Sequence, residues 1–496
     1  MKRVVTNEMM KNADMATINN GTPGLVIMEK AARGIYNSIK WQGNILVVCG
    51  YGNNAGDGYA LAEILHKNGH RVTLLYLARR FSQDGEYYFG KCKLLGIPYF
   101  EYNKALSLCG FDIIVDCIFG TGFKGQPEKN ASDLISKINE SGAFVLSADI
   151  NSGLNGDNGI CEGAVKSNLT VAIGEYKLGH FLGDSKDYIE NLTKIDIGID
   201  VSEGFCLVEG EDAKKLLFTR RNHSNKGTYG YLSIIGGSVK YSGAVKLANL
   251  AASAMRAGAG VVRLCVPNEI VNGVMPYTLE STIYPLKSEN GYIKFDEKET
   301  QGALNSTRAV AIGMGLGQEG DGEALIKYIL ENYEGNIVID ADGLNILSKM
   351  DLSILKKAKG AVVLTPHLKE LERLSGVELK EIENNPVYYA KAFAKENGII
   401  LLLKGPTTIV TDGEKVYLVN RGTAGMATAG SGDVLSGILA GLLATTEKRT
   451  PIESVYLGAY INGLAGEIAS KEIGEISMLA SDTVSKIAEA IKEIQK

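Results

Sequence analysis

Short, continuous apolar runs recur along this chain, and nearly every one empties into a glycine-rich or polar turn. Ile45-Leu-Val-Val-Cys49 leads into Gly50-Tyr-Gly-Asn-Asn-Ala-Gly-Asp-Gly58, after which residues 59–67 carry a helical pattern. Residues 72–77, 113–116, 144–149 and 169–173 repeat the alternation, with helical segments between them. Unbroken runs this short predict parallel strands covered on both faces. Upstream, residues 7–40 predict two helices broken at Asn20-Gly21-Thr22-Pro23-Gly24. After residues 195–198 the alternation lapses into a polar run, 220–227, so a domain boundary is expected near residue 210. It then restarts, with strands predicted at 231–235, 261–266, 309–312, 337–340, 362–364 and 401–404. Each ends in a glycine or polar loop. The last loop, Arg421-Gly-Thr-Ala-Gly-Met-Ala-Thr-Ala-Gly-Ser-Gly-Asp433, runs straight into a helix pattern (Val434, Leu435, Ile438, Leu439, Leu442, Leu443). The expected fold class is α/β: two domains, residues 1–210 and 211–496, each with an open parallel sheet whose polar groups gather in one crevice.

At 496 residues the chain exceeds what one core usually organises, which agrees with two domains. A net charge of −5 without a basic stripe argues against nucleic acid as the main partner. Seven scattered cysteines without Cys-x-x-Cys suit buried thiols in a reducing cytosol. The N-terminal stretch lacks an apolar core, so no signal peptide is expected. Residues 242–266, the most apolar stretch, are interrupted by Lys246, Arg256 and Arg263 and predict a buried helix and strand, not a membrane span. A cytoplasmic protein is expected.

The Asp433 loop is the strongest chemical signal. Small residues feeding a helix start present unpaired N–H groups and a positive dipole end, a cradle for phosphate oxygens. An acid at its lip can steer a proton on a hydroxyl held in line with the phosphate; the alternative is a surface turn with a capping aspartate. Lys404, Thr407 and Thr408 are candidates for gripping nucleotide phosphates. His367 is either a structural hydrogen-bonder or a substrate contact, and Asp340 and Asp342 either orient Mg²⁺ through water or cap the next helix. In the first half Asn54, Asp116 and Ser152 stand at successive strand ends, an oxygen set suited to a monovalent cation or to loop capping.

Two family resemblances follow from these stretches. Asn53-Asn54-Ala55-Gly56-Asp57-Gly58, Asp116 with Phe119-Gly120-Thr121-Gly122, and Asp149-Ile150-Asn151-Ser152-Gly153 resemble the YjeF N-terminal family, the NAD(P)HX epimerases. The resemblance implies that Asp149 handles the proton and that Asn54, Asp116 and Ser152 hold K⁺. It also implies substrate contacts at Asn53, Asn54, Ala55, Gly56, Asp57 and Gly58, and at Gly120, Thr121, Gly122, Phe123, Lys124, Gly125 and Gln126. Asn151 stands where the family usually has proline, and Ala131 where it often has tyrosine.

The second half is similar to the ribokinase-like superfamily and, more closely, to the YjeF C-terminal ADP/ATP-dependent NAD(P)HX dehydratases. The residues that carry this are Lys226-Gly-Thr-Tyr-Gly230, Gly236–Ala244, Gly315-Leu-Gly317, Asp340-Ala-Asp342, Leu364-Thr-Pro-His367 and Gly425–Asp433. It implies ADP as phosphoryl donor with Mg²⁺, and nucleotide contacts at Lys404, Gly405, Pro406, Thr407 and Thr408. Further nucleotide contacts are implied at Thr423, Ala424, Gly425, Met426, Ala427, Thr428, Ala429, Gly430, Ser431 and Gly432. Substrate contacts are implied at Ala244, Gly317, His367 and the catalytic Asp433. Asn225, Leu368 and Asn462 depart from the family pattern.

Together the resemblances imply repair of hydrated NADH and NADPH: epimer exchange in the first domain and ADP-dependent dehydration of the S epimer in the second. A homo-oligomer acting on small molecules, away from nucleic acid and membrane, is expected. The alternative is a small-molecule kinase of the hydroxymethylpyrimidine or hydroxyethylthiazole type with a nucleotide-sensing first domain.

Overall fold

The computed structural model describes residues 1–253, 258–445 and 449–496, so Arg256 lies outside the described residues. The chain forms two compact units, Arg3–Phe205 and Cys206–Lys496, the latter joined by Met1–Lys2. Both are α/β.

The first unit is a Rossmann-like sheet of seven parallel strands. Their spatial order is Tyr99–Glu101, Arg71–Tyr76, Asn44–Cys49, Ile113–Cys117, Phe144–Ala148, Leu169–Ile173 and Leu192–Ile195. Strand alternation sends Ile45, Val47 and Cys49 into a core with the helices Gly24–Tyr36, Asn53–Lys67 and Gln83–Leu94. Leu46 and Val48 point to the other face, against Leu134, Ile135 and Ile138 of Lys129–Glu140. Asn44–Cys49 and Ile113–Cys117 are neighbours from which the chain winds in opposite directions. Such a switch point opens a crevice at the strands' carboxyl ends. Beside this sheet Val4 and Val5 pair with Tyr176 and Lys177.

The second unit is ribokinase-like. Seven parallel strands run in the order Thr282–Leu286, Val261–Pro267, Tyr231–Ile235, Ala309–Ile312, Asn336–Ile339, Val362–Leu364 and Ile400–Leu403. An antiparallel hairpin, Thr408–Thr411 and Val416–Val419, extends the sheet. Phe205–Leu207 then pairs parallel with its last strand. All six apolar positions predicted for the helix after the Asp433 loop, Ser431–Leu443, are buried. That helix packs so closely on Ser242–Ser253 that a Cβ at Gly437 would lie 2.2 Å from the Ala248 carbonyl oxygen.

Three expectations need correction. Asn53–Gly58 is helix, not loop: Gly52 caps the helix and these residues form its first turns. The hairpin after Thr408 and the helix Gly210–Leu216 within the apparent lapse go beyond the expected elements: Thr408–Thr411 offers only Ile409 and Val410 as apolar positions, and the helix only Ala213 and Leu216. Of the seven cysteines only Cys49, Cys92, Cys117 and Cys265 are buried; Cys109 is exposed.

Candidate active sites

In the first unit the centre is the buried carboxylate of Asp116, at the end of Ile113–Cys117. One oxygen accepts from the Ser152 hydroxyl at 2.5 Å and the Ile118 amide at 3.2 Å; the other accepts from the Ser147 hydroxyl and the Ser152 amide, both at 2.9 Å. Burial pushes its pKa up, and these bonds oppose the shift. Asn54 donates Nδ2 to the Phe119 carbonyl at 2.8 Å, leaving its Oδ1 buried without a partner. A buried amide oxygen left unmade is costly, and beside an anion and a carbonyl it is what a desolvated cation needs. Asn54, Asp116 and Ser152 are therefore brought together, and the donor set fits K⁺. A Cβ on Gly120 would sit 3.1 Å from Asn54, so the loop from Gly120 folds against the same amide. There Phe119 and Phe123 stack at 4.5 Å. Lys124, Gly125 and Gln126 stay exposed on its rim.

Asp149 has φ +66°, which a non-glycine residue adopts only when its surroundings hold it there. They do. Its Oδ1 accepts from the buried ammonium of Lys177 and from the Ile173 amide at 3.2 Å, and its carbonyl accepts from His180 Nε2 at 2.7 Å. His180 Nδ1 accepts the Lys177 amide at 3.0 Å, which fixes the tautomer with the proton on Nε2. Burial, with Lys177 adding, pushes His180 down to about 4, so it is neutral near pH 7. The sequence carries no sign of Lys177 or His180 except polar residues within an otherwise apolar Tyr176–Phe181 run.

The two departures in this unit have different outcomes. Ala131 is buried on the core face of its helix, with Leu134 and Ile138, and offers no side chain to the crevice. Asn151 is fully buried and donates Nδ2 to the Val165 carbonyl at 2.8 Å, the Ser167 hydroxyl at 3.0 Å and the Tyr188 carbonyl at 3.0 Å. Its oxygen accepts from the Thr170 hydroxyl. A cross-linked amide here does the loop-stiffening work of a proline ring.

In the second unit Gly430, at φ +94°, turns the chain into Ser431–Leu443, and Asp433 stands in its first turn. The buried Ser431 Oγ has no partner. A Cβ on Gly432 would lie 3.4 Å from Lys404 Nζ and 3.5 Å from Asp340 Oδ2, which puts the cradle beside that ion pair. Lys404 donates to Asp340 Oδ1 at 2.9 Å and Ser436 to Oδ2 at 2.7 Å. Burial raises the Asp340 pKa, but Lys404 and the hydroxyls outweigh it and hold the carboxyl below its ordinary range. Asp433 behaves oppositely: burial first, then Asp340 and Asp342, push it to about 7 against Lys404. An acid poised there suits proton transfer near neutrality.

Asp342 opens the helix Asp342–Leu347 and accepts the Gly317 amide at 2.9 Å. The Gly237 amide donates to the Met314 carbonyl at 2.9 Å, and a Cβ on Gly315 would lie 3.0 Å from the Ala244 Cβ. Ala244, Gly317, Asp342, Asp340, Lys404 and the Asp433 loop thus share one crevice. His367 caps Leu368–Ser375, accepting the Glu370 amide at Nδ1 while Glu370 accepts the His367 amide; half its side chain remains exposed. Thr407 donates to Asn420 at 2.9 Å, and Thr408 enters the hairpin. Pro406 and Gly405 form the turn before it. Thr423 caps the short turn Ala424–Met426, and Ala427, Thr428 and Ala429 lead to Gly430. Glu370 and Ser436 support the site without any glycine signature. Among the described residues no three His, Cys, Asp or Glu side chains are grouped to hold a metal ion.

The Asp340–Lys404 pair yields a direct expectation. Asp340→Asn should weaken nucleotide affinity by roughly tenfold, because Lys404 loses the charge that aims it, at a cost of on the order of 1–3 kcal/mol. Calorimetric titration with ADP checks this, and unchanged affinity would exclude the aiming role.

The family model described as YjeF-related protein N-terminus matches residues 24–179, and the model described as NAD(P)H-hydrate dehydratase matches residues 232–489. The bifunctional NAD(P)H-hydrate repair enzyme of Moorella thermoacetica is 33% identical over 100% of this chain and 98% of its own length. That of Escherichia coli is 31% identical over 89% of this chain and 84% of its own. Among solved structures, the ADP/ATP-dependent NAD(P)H-hydrate dehydratase of Bacillus subtilis co-crystallised with ATP and Mg²⁺ aligns with a TM-score of 0.51 at 26% identity, covering 58% of this chain and 99% of that one.

Proposed function

Since the chain belongs to the family of bifunctional NAD(P)H-hydrate repair enzymes, we propose that its two crevices divide the family's work, with residues 1–210 exchanging epimers and residues 211–496 dehydrating. The activity is that of an isomerase and a lyase on one chain, returning hydrated NADH and NADPH to the reduced cofactors. The second crevice uses a nucleotide with Mg²⁺; ADP as the donor is part of the proposal.

The observation that carries this reading is Asp433 at the helix start beside the Lys404–Asp340 pair. The nucleotide supplies the phosphoryl group that turns a poor leaving hydroxyl into a good one. Asp433 takes the hydroxyl proton, and the backbone N–H groups at the start of Ser431–Leu443 face the developing charge. Lys404, held by Asp340, is aimed at phosphate oxygens, with Gly405–Thr408 and Thr423–Gly432 as the remaining nucleotide contacts. Ala244, Gly317 and His367 are assigned to the hydrated nicotinamide. In the first crevice Asp149 exchanges protons with the epimeric centre between the helix start at Asn53–Gly58 and the Gly120–Gln126 loop.

K⁺ would supply fixed positive charge among Asn54, Asp116, Ser152 and the Phe119 carbonyl. Replacing KCl with tetramethylammonium chloride should lower the first unit's melting temperature by several degrees, and Asn54→Ala should remove the difference. A melting curve indifferent to K⁺ would remove the ion from the proposal. The free thiols fit a cytoplasmic location, and among the described residues no helix is long and apolar enough to cross a membrane. Exposed Ile473, Ile476 and Leu479 support a homo-oligomer.

The decisive experiment supplies hydrated NADH with ADP and Mg²⁺ and follows the dihydronicotinamide absorbance. Full recovery from a mixture of both epimers is expected. A small-molecule kinase would consume nucleotide without recovery, and a first domain that only binds would leave one epimer at its spontaneous rate.

A further inference from the structure

One side of the helix Pro451–Ile473 holds the start of the nucleotide loop. Glu467 is the only charged residue from Ser454 to Ala469, a stretch otherwise buried throughout. Its side chain is 21% exposed, and a carboxylate so placed is costly unless it is paired and bonded. Both of its oxygens are used. One accepts from Arg421 Nη1 at 2.9 Å and the other accepts the Gly422 amide at 2.8 Å. Arg421 Nη2 donates to the Tyr460 hydroxyl at 2.6 Å, and the guanidinium carbon lies 4.9 Å from the centre of that ring. Tyr460, Gly463 and Glu467 stand at i, i+3 and i+7, on one side of the helix. Gly463 makes the room, since a Cβ there would lie 2.5 Å from the Arg421 Cβ. Gly422 has φ +106°, so the chain turns where Glu467 grips it. A Cβ on Gly466 would collide with the Met426 sulfur, and the Thr423 hydroxyl donates to Glu475. Arg421–Met426 is thus fastened by protein contacts alone.

We propose that Glu467 is a positioning residue for the nucleotide: by holding the Gly422 amide and the Arg421 guanidinium it sets the Thr423–Gly432 loop in shape before ADP binds. This rests on the assignment of that loop to the nucleotide given above. A loop that must be ordered on binding costs affinity, and one ordered by the fold does not. Glu467 acts at the loop's entry, ahead of the residues assigned to the phosphates and of Asp433. Its loss therefore falls on capture of the nucleotide and not on the chemical step. The Arg421 guanidinium has a matching role. Held by Glu467 and Tyr460, it ties the loop to the helix, so the pair works as one clamp with a charge on each side of the joint.

The test joins dehydration kinetics, calorimetric titration with ADP and amide hydrogen exchange on the full chain. Glu467→Ala should raise both the KM and the Kd for ADP by about tenfold, with kcat at saturating ADP within about twofold of the unaltered value. Peptides spanning residues 421–430 should exchange faster than in the unaltered chain, and saturating ADP should remove most of that difference. Glu467→Gln keeps an acceptor for the Gly422 amide but loses the charge opposite Arg421, so its Kd should rise by about threefold. Arg421→Ala should do the same from the loop side. These two variants decide the matter should Glu467→Ala fail to fold. A lower melting temperature with KM, kcat and loop exchange unchanged would make Glu467 a structural residue only and overturn the proposal. A fall in kcat with KM unchanged would overturn it too, and in both cases the nucleotide assignment stands. An unaltered chain that binds neither ADP nor ATP would overturn that assignment itself.

Discussion

Asp433→Asn should lower dehydration turnover by on the order of 10³-fold while ADP affinity stays within a few-fold of its original value. The amide keeps the shape of the carboxyl but cannot take a proton, and the anion cradle is mainly backbone. Below about pH 7 the unaltered enzyme should lose activity tenfold per pH unit, because Asp433 must be ionised to act and its pKa lies near 7. Stability moves the other way. A carboxyl whose folded pKa exceeds its unfolded value of about 3.9 costs folding free energy that accumulates as pH rises from about 4 to 7 and is full above that. Removing the charge should therefore raise the melting temperature more at pH 8 than at pH 5. With solvent screening of this partly buried group, the gain is at most about 2 kcal/mol. Near-normal turnover in the variant would refute the mechanism, and an unchanged melting temperature would refute the electrostatic account of the site.

Asp149→Asn should stop epimer exchange, a loss on the order of 10³-fold, while the S epimer is still dehydrated at the unaltered rate. Asparagine suits this position because it visits positive φ more readily than other residues. The cost is a buried Lys177 without its counter-charge, about 1–3 kcal/mol, so the melting temperature must be measured with the activities. Kinetics on a pure epimer and on the mixture separate the cases. Loss of both activities would mean that the crevices do not act independently.

Much of this was legible in the residues, and for a physical reason. Parallel strands buried on both faces have no polar alternation, so Ile45–Cys49 and its counterparts stand out as apolar runs. The groups that bind ligands follow them in glycine loops. That logic found Asn54, Asp116, Ser152, Asp340, Lys404 and Asp433, and the structure brings each set of three together. It did not reach Lys177, His180 or Ser436. These act through partners far away in sequence, and a polar residue inside a helix or short strand looks the same whether it faces solvent or an active site. His367 shows the converse: its place after Thr-Pro suggested a substrate contact, and the backbone gives it a capping duty as well. The hairpin after Thr408 escaped because its first strand, Thr408–Thr411, holds only two apolar positions between threonines.

Asn151 constrains what can replace it. Its four partners lie on three separate stretches, at Val165–Ser167, Thr170 and Tyr188, so a change to proline would remove four hydrogen bonds at once, leaving the Ser167 and Thr170 hydroxyls only each other. At about 1 kcal/mol for each lost bond, the step would take a large share of a domain's marginal stability. A transplant of proline alone into the present background therefore measures the loss of these contacts as well as the gain of a ring.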